Sequence, residues 1–230
     1  MKNNIILTLI LVLLSPLVFA QDAQTLLESV RTRLNTVNDY EADAKMKTDV
    51  SFLKVPQSRV KVYFKTPDKI KIANEKGISF VPKGAVSINL NSIISGNDFT
   101  VIDAGSATLN NKPVRILKLL PVDEIGNLIL STIYVDENNA VILKAKTTTR
   151  DNGTFELEMK YGKFLKFGLP DDVIFTFNTK DYKMPKGVTF DYDNNTQKQE
   201  VEKNKDRQGK IEIIYVSYKI NEGVKDEIFK

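Results

Sequence analysis

Residues 42–50, ADAKMKTDV, and 59–65, RVKVYFK, decide the fold of this 230-residue chain. In the first, Ala42, Ala44, Met46, Thr48 and Val50 alternate with Asp43, Lys45, Lys47 and Asp49. In the second, Val60, Val62 and Phe64 alternate with Arg59, Lys61, Tyr63 and Lys65. Successive side chains of a strand point to opposite faces, so a strict period of two puts the apolar set on one face and the charged set on the other. That is the pattern of an antiparallel sheet with one face packed and the other in water. It recurs at Ile70 and Ile72, between Lys69 and Lys71, and at Phe155, Leu157, Met159 and Tyr161, between Glu156, Glu158 and Lys160. Turn chemistry falls between the runs, at Thr66-Pro67-Asp68, Glu75-Lys76-Gly77, Asn110-Asn111, Glu137-Asn138-Asn139 and Asp151-Asn152-Gly153. Strands joined by turns this short are hairpins, and the sheet reads as a meander.

Working outward, two segments interrupt the alternation. Residues 82–97, PKGAVSINLNSIISGN, space Ile88, Ile93 and Ile94 with small and polar residues, and are expected as a short helix or a loop over one end of the sheet. Residues 194–210, NNTQKQEVEKNKDRQGK, are polar apart from Val201, which predicts a flexible solvated loop or mobile hairpin. Strand character resumes at 211–220, IEIIYVSYKI, with both faces partly apolar, as for a strand covered on both sides. Nothing in composition divides the chain, so one domain is expected from 21 to 230.

Before the strands lies one helix. Over residues 24–38, Leu26, Leu27, Val30, Leu34 and Val37 recur at helical spacing, with Glu28, Arg31, Arg33 and Asn35 on the other face. Asp22 is the expected N-cap and Asn38-Asp39 the expected stop. Residues 1–20, MKNNIILTLILVLLSPLVFA, have one basic residue, an apolar run from Ile5 to Leu14, a break at Ser15-Pro16 and a small residue at Ala20. This is the pattern of a secretory signal peptide, and the run is too short to span a bilayer. Cleavage after Ala20 would remove only Lys2 from the charge balance, lowering the formal net charge from +4 to +3.

Composition narrows the function. The mild positive charge contains no block of like charges, so nucleic acid is not an expected partner. The chain has no His and no Cys, which excludes Ser-His-Asp and Cys-His nucleophilic sites and ordinary zinc sites. The carboxylates are scattered in turns or alternate with apolar residues, in no spacing that suggests a hydrolase pair or a calcium site. No enzyme, metal or cofactor is expected. The absence of Cys also removes the acceptor for a lipid anchor, so a soluble, unanchored periplasmic protein is expected.

One long meander and one helix of about 15 residues, roughly 22 Å long, pose a packing problem. The sheet must curl on itself, with the helix plugging the opening. Incomplete covering leaves an apolar cavity suited to a hydrophobic ligand; complete covering leaves an ordinary core. Alternation selects a face and does not choose between the two.

Four stretches resemble the LolA-like periplasmic outer-membrane lipoprotein carriers. Leu26-Leu-Glu-Ser-Val-Arg-Thr-Arg-Leu-Asn-Thr-Val-Asn-Asp-Tyr-Glu-Ala is similar to the family's opening helix and first strand. Val62-Tyr-Phe-Lys-Thr-Pro-Asp-Lys-Ile-Lys-Ile resembles its second landmark, a strand ending at a proline and then a short strand. Ile133-Tyr-Val-Asp-Glu-Asn-Asn-Ala-Val-Ile resembles a later hairpin, and Phe175-Thr-Phe with Pro185-Lys-Gly-Val-Thr-Phe the closing strand and turn. The order, from about residue 24 to 192, matters more than any single motif.

The resemblance implies a mainly β (α+β) fold: a single antiparallel, strongly curved, incomplete β-barrel with an N-terminal helix and a short helix or loop as lid. It implies a monomeric carrier whose ligand is a lipoprotein or another acylated molecule, received from an inner-membrane release complex and passed to an outer-membrane acceptor. A lipid-sensing or envelope-interaction module of the same fold is the alternative. The apolar cavity candidates are Met46, Val50, Val62, Phe64, Ile70, Ile72, Leu157, Met159, Phe175 and Phe177. Carriers of the family have an Arg before the landmark proline, where it latches the lid. Here Thr66 holds that position with Lys65 beside it, and Lys is a point charge without the planar fork of Arg.

Overall fold

The computed structural model describes residues 22–50, 53–74, 94, 98–123, 127–151, 153–178 and 208–229, with the side chains of 50–56 outside that description. The helix α1 (Ala23–Leu34) precedes ten strands. These are β1 (Asp39–Val50), β2 (Leu53–Lys65), β3 (Lys69–Asn74), β4 (Phe99–Leu109), β5 (Lys112–Pro121), β6 (Leu128–Asp136), β7 (Val141–Thr149), β8 (Gly153–Lys160), β9 (Asp172–Asn178) and β10 (Gln208–Ile220). All pair antiparallel in one sheet of order β3-β2-β1-β10-β9-β8-β7-β6-β5-β4. The expected meander is therefore corrected at one place: the last strand returns to pair with the first. This makes β3 and β4, consecutive in sequence, the two edges of an open sheet.

The register follows the sequence pattern. Across β1 and β2, Ala42 faces Val62 and Ala44 faces Val60, while Asp43 faces Lys61. On the charged face Lys61 Nζ pairs with Glu41 Oε1 at 2.7 Å and Asp43 Oδ1 at 3.2 Å, and Lys144 Nζ with Glu156 Oε2 at 2.8 Å. The β4–β5 hairpin turns on Asn110 and Asn111, at φ 51° and 63°. This double left-handed conformation matches the twist of a two-residue hairpin and suits Asn.

Curvature follows from burial. Ten flat strands about 4.8 Å apart would span about 43 Å, and a helix about 10 Å across covers only a few of them. Yet one hydrophobic cluster joins Leu26, Leu27 and Val30 of α1 to residues of every strand, from Ile70 on β3 to Phe99 on β4. The sheet wraps α1. Register shifts aid the bending. At the one in β4, Gly105 sits at φ 87° between Asp103 and Ser106.

Three local expectations change. The helix ends at Leu34 with Asn35 as its cap, short of Asn38-Asp39, because the chain tightens there: Thr36 and Val37 donate to the carbonyls of Arg33 and Leu34. Val37 is buried from this turn, and Asp39 already opens β1. Asp22 stands at the N-cap, but its backbone carbonyl, not its side chain, takes the N–H of Leu26, at 2.9 Å. Of the polar segment, 208–210 belong to β10; the rest of it lies outside the described residues, as do 1–21 and all of 82–97 except Ile94.

The two-sided apolar look of 211–220 is the third change, and it comes from a bulge. Ala44 faces Tyr215 while Asp43 faces Ser217, so Val216 is an extra residue. Ile211 and Tyr215 face the core before it, and Tyr218 and Ile220 pack against the core after it. Among the described residues nothing covers the other face, where Ile214 and Val216 are 41% and 48% exposed.

Candidate functional site

Two regions of the molecule hold chemistry beyond ion pairs on the outer face. The first is the face wrapped around α1. Cross-strand partners place the sequence-derived candidates in two patches. Phe64 faces Ile70 and Val62 faces Ile72 across β2 and β3, and further along β1 Met46 lies between Ser58 of β2 and Ile213 of β10. Leu157 faces Phe175 and Phe155 faces Phe177 across β8 and β9, with Met159 opposite Val173. β10 lies between the patches, so Ile211 and Tyr215 join them, a link the sequence reading left out. Met46, Val62, Phe64, Leu157, Met159, Phe175 and Phe177 are all 6% exposed or less, and Ile70 and Ile72 are half-buried against them. The side chain of Val50 lies outside the description.

Close packing at β10 depends on one glycine. Gly209 is the direct partner of Phe177, and a Cβ there would stand 2.4 Å from the Phe177 ring. The ring lies over the bare backbone. Phe175 stacks on Phe177 at 5.1 Å between centroids and tilts against Phe155 at 5.6 Å.

A file of aromatic rings runs from this face towards the C-terminal end of α1. Phe64 and Tyr40 are 5.2 Å apart, Tyr40 and Tyr218 5.1 Å, and Tyr218 and Phe164 4.8 Å, with Tyr215 stacked on Tyr218 at 4.8 Å. Burial raises the hydroxyl pKa of Tyr40 and Tyr218 well above the usual tyrosine range and pushes Tyr215 up to about 12. The Tyr218 hydroxyl donates to the Pro170 carbonyl at 2.9 Å.

The second region is a pocket of about 420 Å³ at the end of that file. Its walls come from three places: Arg33, Thr36 and Val37 at the end of α1, Phe164, Lys166 and Phe167 in the β8–β9 connection, and Tyr218, Ile220 and Asn221 at the end of β10. A 3-10 turn at Leu165–Phe167, closed by Gly168 at φ 70°, shapes the connection. Arg33 Nη2 donates to the Leu165 carbonyl at 2.5 Å, while Arg33 Nε is buried without a hydrogen-bond partner. None of these residues was a sequence-derived candidate. The signal was a break in the alternation, where Lys163-Phe-Leu-Lys-Phe-Gly168 interleaves cations and aromatics between two strands.

The contacts of the latch position among the described residues are with the start of β1 and with the C-terminal segment. The Thr66 N–H donates to the Asn38 carbonyl at 2.8 Å, holding the end of the β1–β2 ladder. Lys65 Nζ lies 3.2 Å from the Val224 carbonyl and 3.0 Å from Asp226 Oδ1. Thr66 thus meets the residue that precedes β1, and Lys65 the C-terminal segment. Asp226 also takes Lys69 at 2.9 Å, so the C-terminal 3-10 turn (Asp226–Phe229) docks on β3.

No protein-family model and no curated protein matches the sequence. Solved structures do. A LolA superfamily protein from Nitrosomonas europaea superposes with a TM-score of 0.56 at 13% identity, covering 92% of this chain and 98% of that one. A domain from Vibrio parahaemolyticus described as outer membrane lipoprotein-sorting matches at 0.54 and 11%, covering 90% and 97%. A DUF1329 family protein from Desulfovibrio piger gives the same values. The fold is LolA-like. Within the LolA-like fold of this chain, the open edges, the wrapped helix and the returning last strand stand as described above. Among the described residues no helix is long and apolar enough to cross a membrane.

Proposed function

We propose that this protein is an exported, unanchored, non-catalytic carrier that binds lipid acyl chains, those of outer-membrane lipoproteins among them, on the apolar face now filled by α1. The observation that supports this reading is the architecture of that face: a largely apolar lining on an open sheet, covered among the described residues by the 12-residue α1 and by Ile94. An edge-to-edge closed barrel could not admit a chain without breaking ladder hydrogen bonds; an open one can widen between β3 and β4. Met46 and Met159 add adaptable surface, and Phe64, Phe175 and Phe177 large apolar area. Each methylene taken from water contributes about 0.8 kcal/mol, enough to offset the displacement of α1 by a long chain. The described lipoprotein-sorting role of the Vibrio parahaemolyticus domain lends the cargo class. Loading from an inner-membrane release complex and unloading to an outer-membrane acceptor complete the proposal.

The near-complete burial of Met46, Val62, Phe64, Leu157, Met159, Phe175 and Phe177 favours a second reading. In it the face is permanent core and the protein senses or docks without transport.

Native mass spectrometry of the chain purified from its own host, before and after delipidation, separates the two. Reproducible acylated ligand, and binding of a fluorescent fatty-acid methyl ester that Phe64→Glu abolishes in a folded protein, support the carrier. No co-purified lipid and no ester binding sink it.

A further inference from the structure

We propose that the pocket at the C-terminal end of α1 binds the anionic head group of an amphiphile, a carboxylate or a phosphate ester, through Arg33 and Lys166. This rests on the acyl-binding reading and supplies the polar end of its ligand.

Charge comes first. Among the described residues, the two charged side chains in the pocket wall are both cations, and no carboxylate lines it. The helix C-terminus, which carries partial negative charge, is largely satisfied: the Arg33 carbonyl accepts from the Thr36 N–H and Oγ1, the Leu34 carbonyl from the Val37 N–H, and the Thr36 carbonyl from Asn221 Nδ2. What reaches the pocket is therefore positive.

Arg33 is built in rather than free. Its Nη2 is tied to the Leu165 carbonyl, and its stem lies on Gly168, where an added Cβ would stand 3.1 Å from Cγ. The glycine's positive φ and missing side chain make the seat. Held this way, Nε packs against Gly168, buried and without an acceptor among the described residues, and Arg33 meets the pocket through the rest of its side chain. A buried donor left unmade costs about 1–3 kcal/mol, and a planar guanidinium donates well to carboxylate or phosphate oxygens. Lys166 adds a second cation, poised over the Phe167 ring at 4.6 Å.

Shape and path complete the case. A volume of about 420 Å³ falls within the range of small-molecule sites, roughly 300–1,000 Å³. From the cations, Phe164, Tyr218 and Tyr40 lead ring by ring to Phe64 on the acyl face. A ligand charged at one end and apolar along its length has chemistry that matches the cations at one end of this file and the apolar face at the other, which α1 must yield to admit it.

The test uses the chain without residues 1–20, titrated with cis-parinaric acid and with its uncharged methyl ester. The expected result is an acid affinity about tenfold above that of the ester, as one charge-assisted contact would give. Lys166→Glu, at an exposed position, and Arg33→Gln should each bring the acid down to the level of the ester and leave the ester unmoved. Circular dichroism verifies that both variants are folded. Displacement by oleate alone assigns a free carboxylate, and displacement by lysophosphatidylglycerol alone a phosphate ester; either supports the site. Equal affinity for acid and ester in the unmodified protein overturns it while leaving the acyl-binding reading standing. Failure of both probes to bind overturns the two together.

Discussion

The face beneath α1 and the pocket at its C-terminal end share one helix and differ in almost everything else. The face is contributed by every strand in regular alternation, and it is apolar apart from a few small hydroxyls: Ser131 and Thr147 pair with each other, while Thr48 Oγ1 is buried without a partner among the described residues. The pocket draws on residues far apart in sequence, from the end of α1, from Phe164–Phe167 and from Tyr218–Asn221, and leaves a buried guanidinium nitrogen without a partner. A buried neutral hydroxyl costs less to leave unpaired than a charged group does, and a cationic side chain at a pocket wall calls for an acceptor. In this protein the face and the pocket lie end to end, joined by the ring file from Phe64 to Phe164.

The largest effect that would test this contrast is in the face. Leu27 is fully buried in α1, and Leu27→Ala should cost about 2–5 kcal/mol, read as a lower urea midpoint. A loss below about 1 kcal/mol, far under that range, would mean that α1 is a loosely seated plug, and the face would then resemble the pocket. Next is Gly209→Val, which drives a side chain into the Phe177 ring. A loss of about 1–3 kcal/mol is expected from overpacking. It should be partly recovered when Phe177→Ala is added, the signature of direct coupling in a double-mutant cycle.

A separate effect, cumulative over three tyrosines, should appear at high pH. Burial raises the hydroxyl pKa of Tyr40, Tyr215 and Tyr218 above the unfolded value of 10.0. Raised folded values mean that stability is fully present below pH 10 and lost as pH rises through the folded values. Each tyrosine contributes a slope of about 1 kcal/mol per pH unit. Chemical denaturation from pH 9 to 12 reads that slope, and ultraviolet absorbance should show these hydroxyls ionising late. A flat stability profile across that range would place the ring file in water and not in the core.

The smallest effects belong to the outer face and to the pocket's exposed cation. Glu156 is held below the usual carboxylate range by its hydrogen bond to Lys144. Its contribution is thus present at neutral pH and lost as pH falls through the lowered value. Glu156→Gln should cost no more than about 1 kcal/mol. Lys166→Gln should leave the melting temperature where it is, within about 0.5 kcal/mol, and any larger loss would make Lys166 part of the packing.

Much of the sheet was legible because period-two alternation is a local property. Ala42 to Thr48 and Val60 to Phe64 announce their faces without knowledge of any partner, and the pairing of Ala42 with Val62 and of Asp43 with Lys61 follows. The turn at Asn110-Asn111 was legible for the same reason, since the left-handed conformation favours Asn residue by residue. The bulge at Val216 was not. An extra residue inserts a phase change that reads, in one dimension, as a strand apolar on both sides. The helix stop was missed because Val37 keeps helical spacing while being buried from a tight turn. Only one wall of the pocket left a trace, the break in alternation at 163–168, because no periodicity links Arg33 to Lys166 and Asn221.

By itself the sequence determined the strand character, the faces, the amphipathic helix and the absence of His and Cys chemistry, all of which depend on residue type and near neighbours. Only the tertiary structure decided that the last strand returns to the first, that β3 and β4 are the open edges, and that Arg33 sits on Gly168 with an unpartnered nitrogen. The reason is physical: alternation is written within each strand, whereas strand order and pocket chemistry depend on which distant segments come to lie side by side.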